Sequence, residues 1–215
     1  MGAAKAPFRA MLKRFGLYGA YKLKTDGYLR ELGWYRSFDE QRPVNARGDP
    51  VPWITYPASE LLARRVRPDD AVFEYGAGMS TFWWAERVRR VVAIEHDLAW
   101  YEKLRGRLPA NVELLHQPLE YGGAYCRGVL ADPGAFSLVV IDGRDRVACA
   151  RHAVKGLTAG GVIVWDETDR SQYREGIEFL HAEGFRSVEF VGMTPAATHA
   201  HETSIFYRDG NCLGL

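Results

Sequence analysis

Two glycines one residue apart follow an acid in the run Val72 to Ser80, VFEYGAGMS, and a second acid, Glu95, comes 21 residues after Glu74. Apolar residues before Glu74 predict a buried strand, Gly76 and Gly78 a turn with little side-chain bulk, and Ser80 onward the start of a helix. Such a unit brings bare backbone N–H groups up to a ligand, because glycine lets it approach the main chain closely. An acid about 20 residues on, at the end of the next strand, can accept hydrogen bonds from both hydroxyls of a ribose. Together the two signals point to an adenosine-containing cofactor.

Two such cofactors compete. A dinucleotide fingerprint is GxGxxG, and here GAGMST puts Thr81 where the third glycine belongs. Glu74 directly before the glycines repels a pyrophosphate but suits the sulfonium and ammonium of S-adenosylmethionine. A nicotinamide-dependent oxidoreductase is therefore disfavoured. Acids recur at the ends of the other apolar runs: Glu95 beside His96 and Asp97, Glu120 after Pro118 and Leu119, Asp142, then Asp166 and Glu167. A carboxylate at a buried strand end is costly without a partner. For assisting deprotonation of a methyl acceptor the candidates are Asp142, Asp166, His199 and His201, whereas His152 falls within a predicted helix and reads as structural.

The elements that position these residues follow from periodicity. From Pro57 onward short apolar strands (AVFEYG, VVAIEHD, NVELLHQ, FSLVVIDG, GVIVWDE) alternate with helices, which predicts an α/β fold with a parallel sheet covered on both faces. RSVEFVGM and ETSIFYR have no helix between them and are expected to pair antiparallel through residues 194 to 201. In such a sheet ligands bind beyond the carboxyl ends of the strands.

Residues 1 to 50 read as a basic helical cap and loop, and 51 to 215 as the cofactor-binding domain. Residues 7 to 34 alternate apolar and basic residues at helical spacing, predicting one or two short amphipathic helices. Residues 1 to 30 hold seven basic residues and one acid, while the whole chain carries a net charge of +1. The balance gives no reason to expect nucleic-acid binding; the basic segment is expected to be a cap packed on the domain with its lysines and arginines solvated, the alternative being a surface for an anionic lipid or an acidic partner. Residues 41 to 57 hold four prolines and form a loop, in which Trp53 and Tyr56 either plug the core or line a ligand site. Trp100 either stacks on adenine or packs in the core, and at least one of Trp83 and Trp84 belongs to the core. Three widely spaced cysteines, Cys126, Cys149 and Cys212, fit neither a disulfide framework nor a zinc site. A reducing, cytoplasmic location is the expectation, with no transmembrane segment. The oligomeric state is not legible.

The segments PWITYPA, VFEYGAGMSTFWWA, VVAIEHDLAWY, LVVIDGRDR, GVIVWDETDR and TSIFYRDGNCLGL together resemble class I S-adenosylmethionine-dependent methyltransferases, and more narrowly a group of small bacterial methyltransferase-like proteins. The resemblance spans residues 50 to 215. It implies a Rossmann-like seven-stranded sheet, mostly parallel with an antiparallel last strand, with helices on both faces. It implies a cofactor site drawn from Tyr56, Glu74, Tyr75, Gly76, Ala77, Gly78, Ser80, Glu95, His96, Trp100, Pro118, Leu119, Glu120 and Asp142. Gly76 and Gly78 would run under the methionine part, Glu95 would hold the ribose, Pro118 to Glu120 would flank the adenine, and Asp142 would face the methionine end. The reaction expected is methyl transfer to an oxygen or nitrogen of a small metabolite or natural-product intermediate; the alternative is a non-catalytic cofactor-binding partner protein. VIDG and VIVWDE also resemble metal-dependent O-methyltransferases, in which such carboxylates hold magnesium. Asp142 and Asp166 match that pattern, but Glu167 stands where another Asp or Asn is usual. With Arg144 and Arg146 nearby, an Asp142–arginine pair and an Asp166 that caps the following segment are preferred over a metal.

Overall fold

The computed structural model of the protein describes residues 5–215. Four short helices come first: α1 (Lys5–Arg14), α2 (Tyr18–Asp26), α3 (Tyr28–Leu32) and α4 (Trp34–Glu40). The sequence pattern predicts one or two; glycines divide the segment more finely. Gly33, between α3 and α4, has φ +84°, and a Cβ there would lie 2.2 Å from the carbonyl carbon of Asn45. That position accepts only glycine, and its left-handed turn ends α3. Residues 41–55 follow without regular structure apart from a bridge between Val44 and Pro50.

The remainder alternates strands and helices: α5 (Tyr56–Arg65), β1 (Ala71–Tyr75), α6 (Met79–Ala85), β2 (Arg90–Glu95), α7 (Leu98–Leu104), β3 (Val112–His116), α8 (Ala124–Arg127), β4 (Phe136–Ile141), α9 (Arg146–Gly156), β5 (Leu157–Asp166), α10 (Arg174–Ala182), β6 (Arg186–Met193) and β7 (Ala200–Tyr207). The connection between β3 and β4 carries α8 and a 3₁₀ turn over Gly128–Ala131.

The seven strands form one sheet in the order β3-β2-β1-β4-β5-β7-β6. β1 to β5 are parallel, and β7 runs antiparallel to both β5 and β6. This is the Rossmann-like α/β architecture expected, with the last two strands joined as a hairpin. The strand order reverses between β1 and β4, so the crevice at their carboxyl ends is the switch point where such sheets bind ligands.

The central strands of the sheet are buried on both faces. Phe73, Tyr75, Ile94, Val139, Ile141 and Trp165 face one helical layer, and Val72, Val91, Leu138, Val140 and Val164 face the other, where Leu62, Trp83 and Trp84 pack. Every residue of β1 is buried, Glu74 included, and the other four positions of the strand are accordingly apolar. Both tryptophans of α6 are core. All three cysteines are free. Among the described residues no helix is long and apolar enough to cross a membrane.

Candidate active site

A cavity of about 430 Å³ opens at the carboxyl ends of β1, β2 and β4. Gly76 to Ser80 form one side of it, Glu95 to Asp97 with Trp100 another, and Asp142 to Arg144 a third; Gln41, Arg42, Pro43 and Trp53 close it from the segment before α5.

The two glycines of the β1 turn meet different demands. Gly76 has φ +88°, and a Cβ there would stand 2.9 Å from the Cα of Gly143, so the turns after β1 and β4 touch backbone to backbone. No side chain fits. At Gly78 the backbone is extended, and a Cβ would meet only Ser80 Oγ at 3.9 Å. The chain itself does not require glycine at 78; the space it leaves belongs to the cavity. Thr81 accounts for the missing third glycine. Its hydroxyl accepts from the Gly78 N–H at 2.9 Å and donates to Glu74, tying the turn to the strand beneath it.

Glu74 itself lies under that turn, fully buried and off the cavity surface, with Oε1 lacking a hydrogen-bond partner. Burial pushes its carboxyl up to about 7. Glu95 is the acid the cavity sees. Its Oε1 accepts from the His96 and Asp97 N–H groups, both at 2.8 Å, and its Oε2 from the Ala77 N–H at 3.1 Å. Three amides thus fix the carboxylate at the wall and leave acceptor capacity for hydroxyl donors. Trp100 is fixed by two bonds: its backbone N–H donates to Asp97 Oδ1, which caps α7, and its indole N–H donates to Ala77 O, both at 2.7 Å.

A second cavity, of about 350 Å³, lies at the end of β5 and is lined by Asp166, Glu167, Thr194, His199 and His201, among others, with Trp53 again on its wall. Trp53 therefore borders both cavities, while Tyr56, its neighbour in the proline-rich loop, is core. Asp166 accepts the Thr203 hydroxyl at 2.6 Å. The expectation that it caps the next segment is wrong; β7 beside it supplies its partner instead. Burial raises its carboxyl to about 6, against the Thr203 bond and the Arg146 charge. The His199 and His201 rings lie 4.5 Å apart.

Between the two cavities sits Arg146, itself buried. Its guanidinium donates to Asp142 Oδ1 at 3.0 Å and to the Gly143 and Asp142 carbonyls at 3.1 and 3.2 Å, and lies 3.3 Å from Glu167 Oε2. Asp142 is raised well above the usual carboxylate range, by burial first and by Asp166 second, with Arg146 opposing. The magnesium pattern does not fit these residues. The cation between the carboxylates is this guanidinium, and among the described residues no group of three or more His, Cys, Asp or Glu side chains converges as a metal site.

The first cavity thus gathers Gly76, Ala77, Gly78, Ser80, Glu95, His96, Trp100 and Asp142, and the second Asp166, Glu167, His199 and His201. Glu74, Tyr56, Tyr75, Pro118, Leu119 and Glu120 line neither. Tyr75 points to the opposite face of the sheet, as alternation from Glu74 demands, and donates its hydroxyl to Cys126 O at 2.7 Å. Thr55 pins the start of α5 to Thr203 and Phe190, which buries Tyr56. Pro118 to Glu120 follow the edge strand β3, where Glu120 O accepts from Gly123 N–H to turn the chain. Gln41, Arg42 and Pro43 had no individual sequence signal as cavity residues, whereas Arg144 stands at the end of the fourth strand, where ligands are expected.

No protein-family model matches the chain, and no curated protein matches it. Solved structures do. Precorrin-6y C5,15-methyltransferase from Geobacter metallireducens superposes with a TM-score of 0.55 at 17% identity, over 80% of this chain and 96% of that one. Precorrin 8w decarboxylase from Methanobacterium thermoautotrophicum gives 0.52 at 20%, over 78% and 96%. The tRNA (m1A58) methyltransferase from Aquifex aeolicus gives 0.52 at 16%, over 73% and 70%. At these identities the likeness is one of fold: the chain has the class I methyltransferase fold.

Proposed function

We propose that the protein is an S-adenosylmethionine-dependent methyltransferase acting on an oxygen or nitrogen of a small metabolite or natural-product intermediate. The observation that carries this reading is the Glu95 carboxylate, held by three backbone amides on the wall of a cavity bordered by a turn with an unfilled glycine position. That donor set fits the cofactor: Glu95 accepts the ribose hydroxyls, Gly76 to Gly78 face the methionine part, and Trp100 offers a ring fixed by its indole bond. When bound, the cofactor supplies a methyl group already activated on a sulfonium. The chain's own task is then alignment of the acceptor and, for a hydroxyl or ammonium, removal of a proton.

Asp166 is the proposed base. It lines the second cavity, and its raised proton affinity makes it a better acceptor near neutral pH than an ordinary carboxylate. His199 and His201 flank the acceptor, and Trp53 stands where the two cavities adjoin. Arg146 holds the ends of β4 and β5 in register and offsets the charge of Asp142 and Glu167, so no step passes through a metal.

Isothermal titration calorimetry with S-adenosylmethionine and its demethylated product tests the reading. Micromolar binding is expected, with at least a tenfold loss in Glu95→Ala, in keeping with hydrogen bonds to a charged group worth about 1.5 to 3 kcal/mol. Absence of binding by either compound removes the proposal. Unchanged affinity in the variant puts the ribose elsewhere.

A further inference from the structure

The apolar surface left uncovered by the sheet is concentrated at the other end of the chain. Phe8 and Met11 on α1 and Phe15 in the turn that follows it are 46, 47 and 68% exposed, and Leu17, Tyr21, Leu23 and Tyr28 continue the apolar surface from that turn over α2 to α3. Of the large apolar residues in α1 and α2 only Leu12 is buried. Neither helix contributes to the clusters that pack on the sheet.

Cations are interleaved with these rings. Arg9 and Lys13 lie 5.1 and 5.6 Å from the centre of the Tyr18 ring, and Lys24 lies 5.7 Å from that of Tyr35. Asp26 is paired with Lys22, and among the described residues Arg9, Lys13, Arg14 and Lys24 have no carboxylate partner. Seven basic residues and one acid within positions 1 to 30, in a chain whose net charge is +1, make the molecule electrically lopsided.

We propose that α1 and α2 seat the protein on an anionic lipid bilayer. Phe8, Met11 and Phe15 enter the headgroup layer, and Arg9, Lys13, Arg14 and Lys24 meet its negative charge. The chemistry favours a bilayer over a folded protein partner because the apolar surface is spread over several short helices and broken up throughout by cations. Aromatic rings beside lysine and arginine are the side chains that populate the membrane interface, where each ring is half immersed and each cation stays wet. The seat would also be connected to the site. The Trp34 indole N–H, on α4, donates at 2.7 Å to Ala197 O, in the loop that lines the second cavity. This inference stands whether or not the methyl-transfer reading holds.

Flotation of the full chain with vesicles of phosphatidylcholine alone, or of phosphatidylcholine with phosphatidylserine, tests it. Binding to the anionic vesicles only is expected, with release at high salt. The triple variant Arg9→Gln/Lys13→Gln/Arg14→Gln should lose about a hundredfold in partitioning, since each basic residue near an anionic surface contributes about fivefold. Phe8→Ser/Phe15→Ser, which reduces the apolar surface and leaves the charge, should also weaken binding. Both variants alter exposed side chains, and an unchanged melting temperature verifies folding. No association with anionic vesicles at low salt, or equal binding to neutral ones, overturns the proposal. So does a wild-type dimer that Phe8→Ser/Phe15→Ser converts to monomer, because a second copy then covers that surface.

Discussion

Gly76 and Gly78 differ in what a side chain would meet. An alanine at 76 must hold a left-handed backbone, costing about 1–2 kcal/mol, and press on Gly143 at 2.9 Å. Gly76→Ala is expected to lower unfolding free energy by about 2–4 kcal/mol in urea titrations. Gly78→Ala meets no protein atom nearer than 3.9 Å, so its stability should stay within about 1 kcal/mol of wild type while cofactor affinity falls at least tenfold. Wild-type affinity in that variant would mean that the space at 78 is not the cofactor's. The proton side of the reaction is a residue-scale matter too. Asp166 must be ionised to act as a base, and burial has raised its carboxyl to about 6. Activity per unit substrate, kcat/KM, should therefore rise as pH climbs from 5 to 7 and level off above. Asp166→Asn should remove about a hundredfold or more of kcat; a profile that does not bend near 6 would assign the proton to another group. Of these residues the glycines and Glu95 are legible from spacing. Thr81 is visible only as a missing glycine, because its bonds to Gly78 and Glu74 depend on how the turn folds back over the strand.

At the scale of elements, the ends of β4 and β5 are joined through the first residue of α9. Arg146 donates to the Asp142 and Gly143 carbonyls after β4 and to the Asp166 carbonyl at the end of β5, and faces Asp142 and Glu167. Arg146→Met would leave two acids and several carbonyls facing one another without a cation. A loss of about 3–5 kcal/mol is expected, as when one partner of a buried pair is removed, together with weaker binding in the first cavity. Thermal melts and calorimetry on the same sample measure both. Backbone conformations point to the same region. Gln41, Asp145, Glu167 and Ala196 are the non-glycine residues with positive φ among the described residues, and all four sit in loops at or next to the two cavities. Such positions cost energy and persist where surrounding packing holds them. The strands and most helices were readable because their periods differ. The division of the N-terminal segment into four helices was not, since it depends on how Gly27 packs back on Leu23 of α2 and how Gly33 meets Asn45 further along the chain.

For the whole molecule, the two cavities differ in how far apart their parts lie in the chain. Most of the first is local: its turn, its acid and Trp100 fall between positions 76 and 100, within reach of a spacing argument. The second combines Trp53 with residues 166–167 and 194–201, brought together only when the sheet closes, and periodicity carries no such information. The charge asymmetry is visible in the sequence, but the exposure that gives it meaning is not. Placing β7 between β5 and β6 has a consequence in time. A chain is made from its N-terminus onward, so β6 is finished before its single neighbour in the sheet exists, and β5 waits with one edge open. The Thr203 hydroxyl that steadies Asp166 rides on that late-arriving strand. The surroundings of Asp166 are therefore completed only when β7 has entered between β5 and β6, at the last step of closing the sheet.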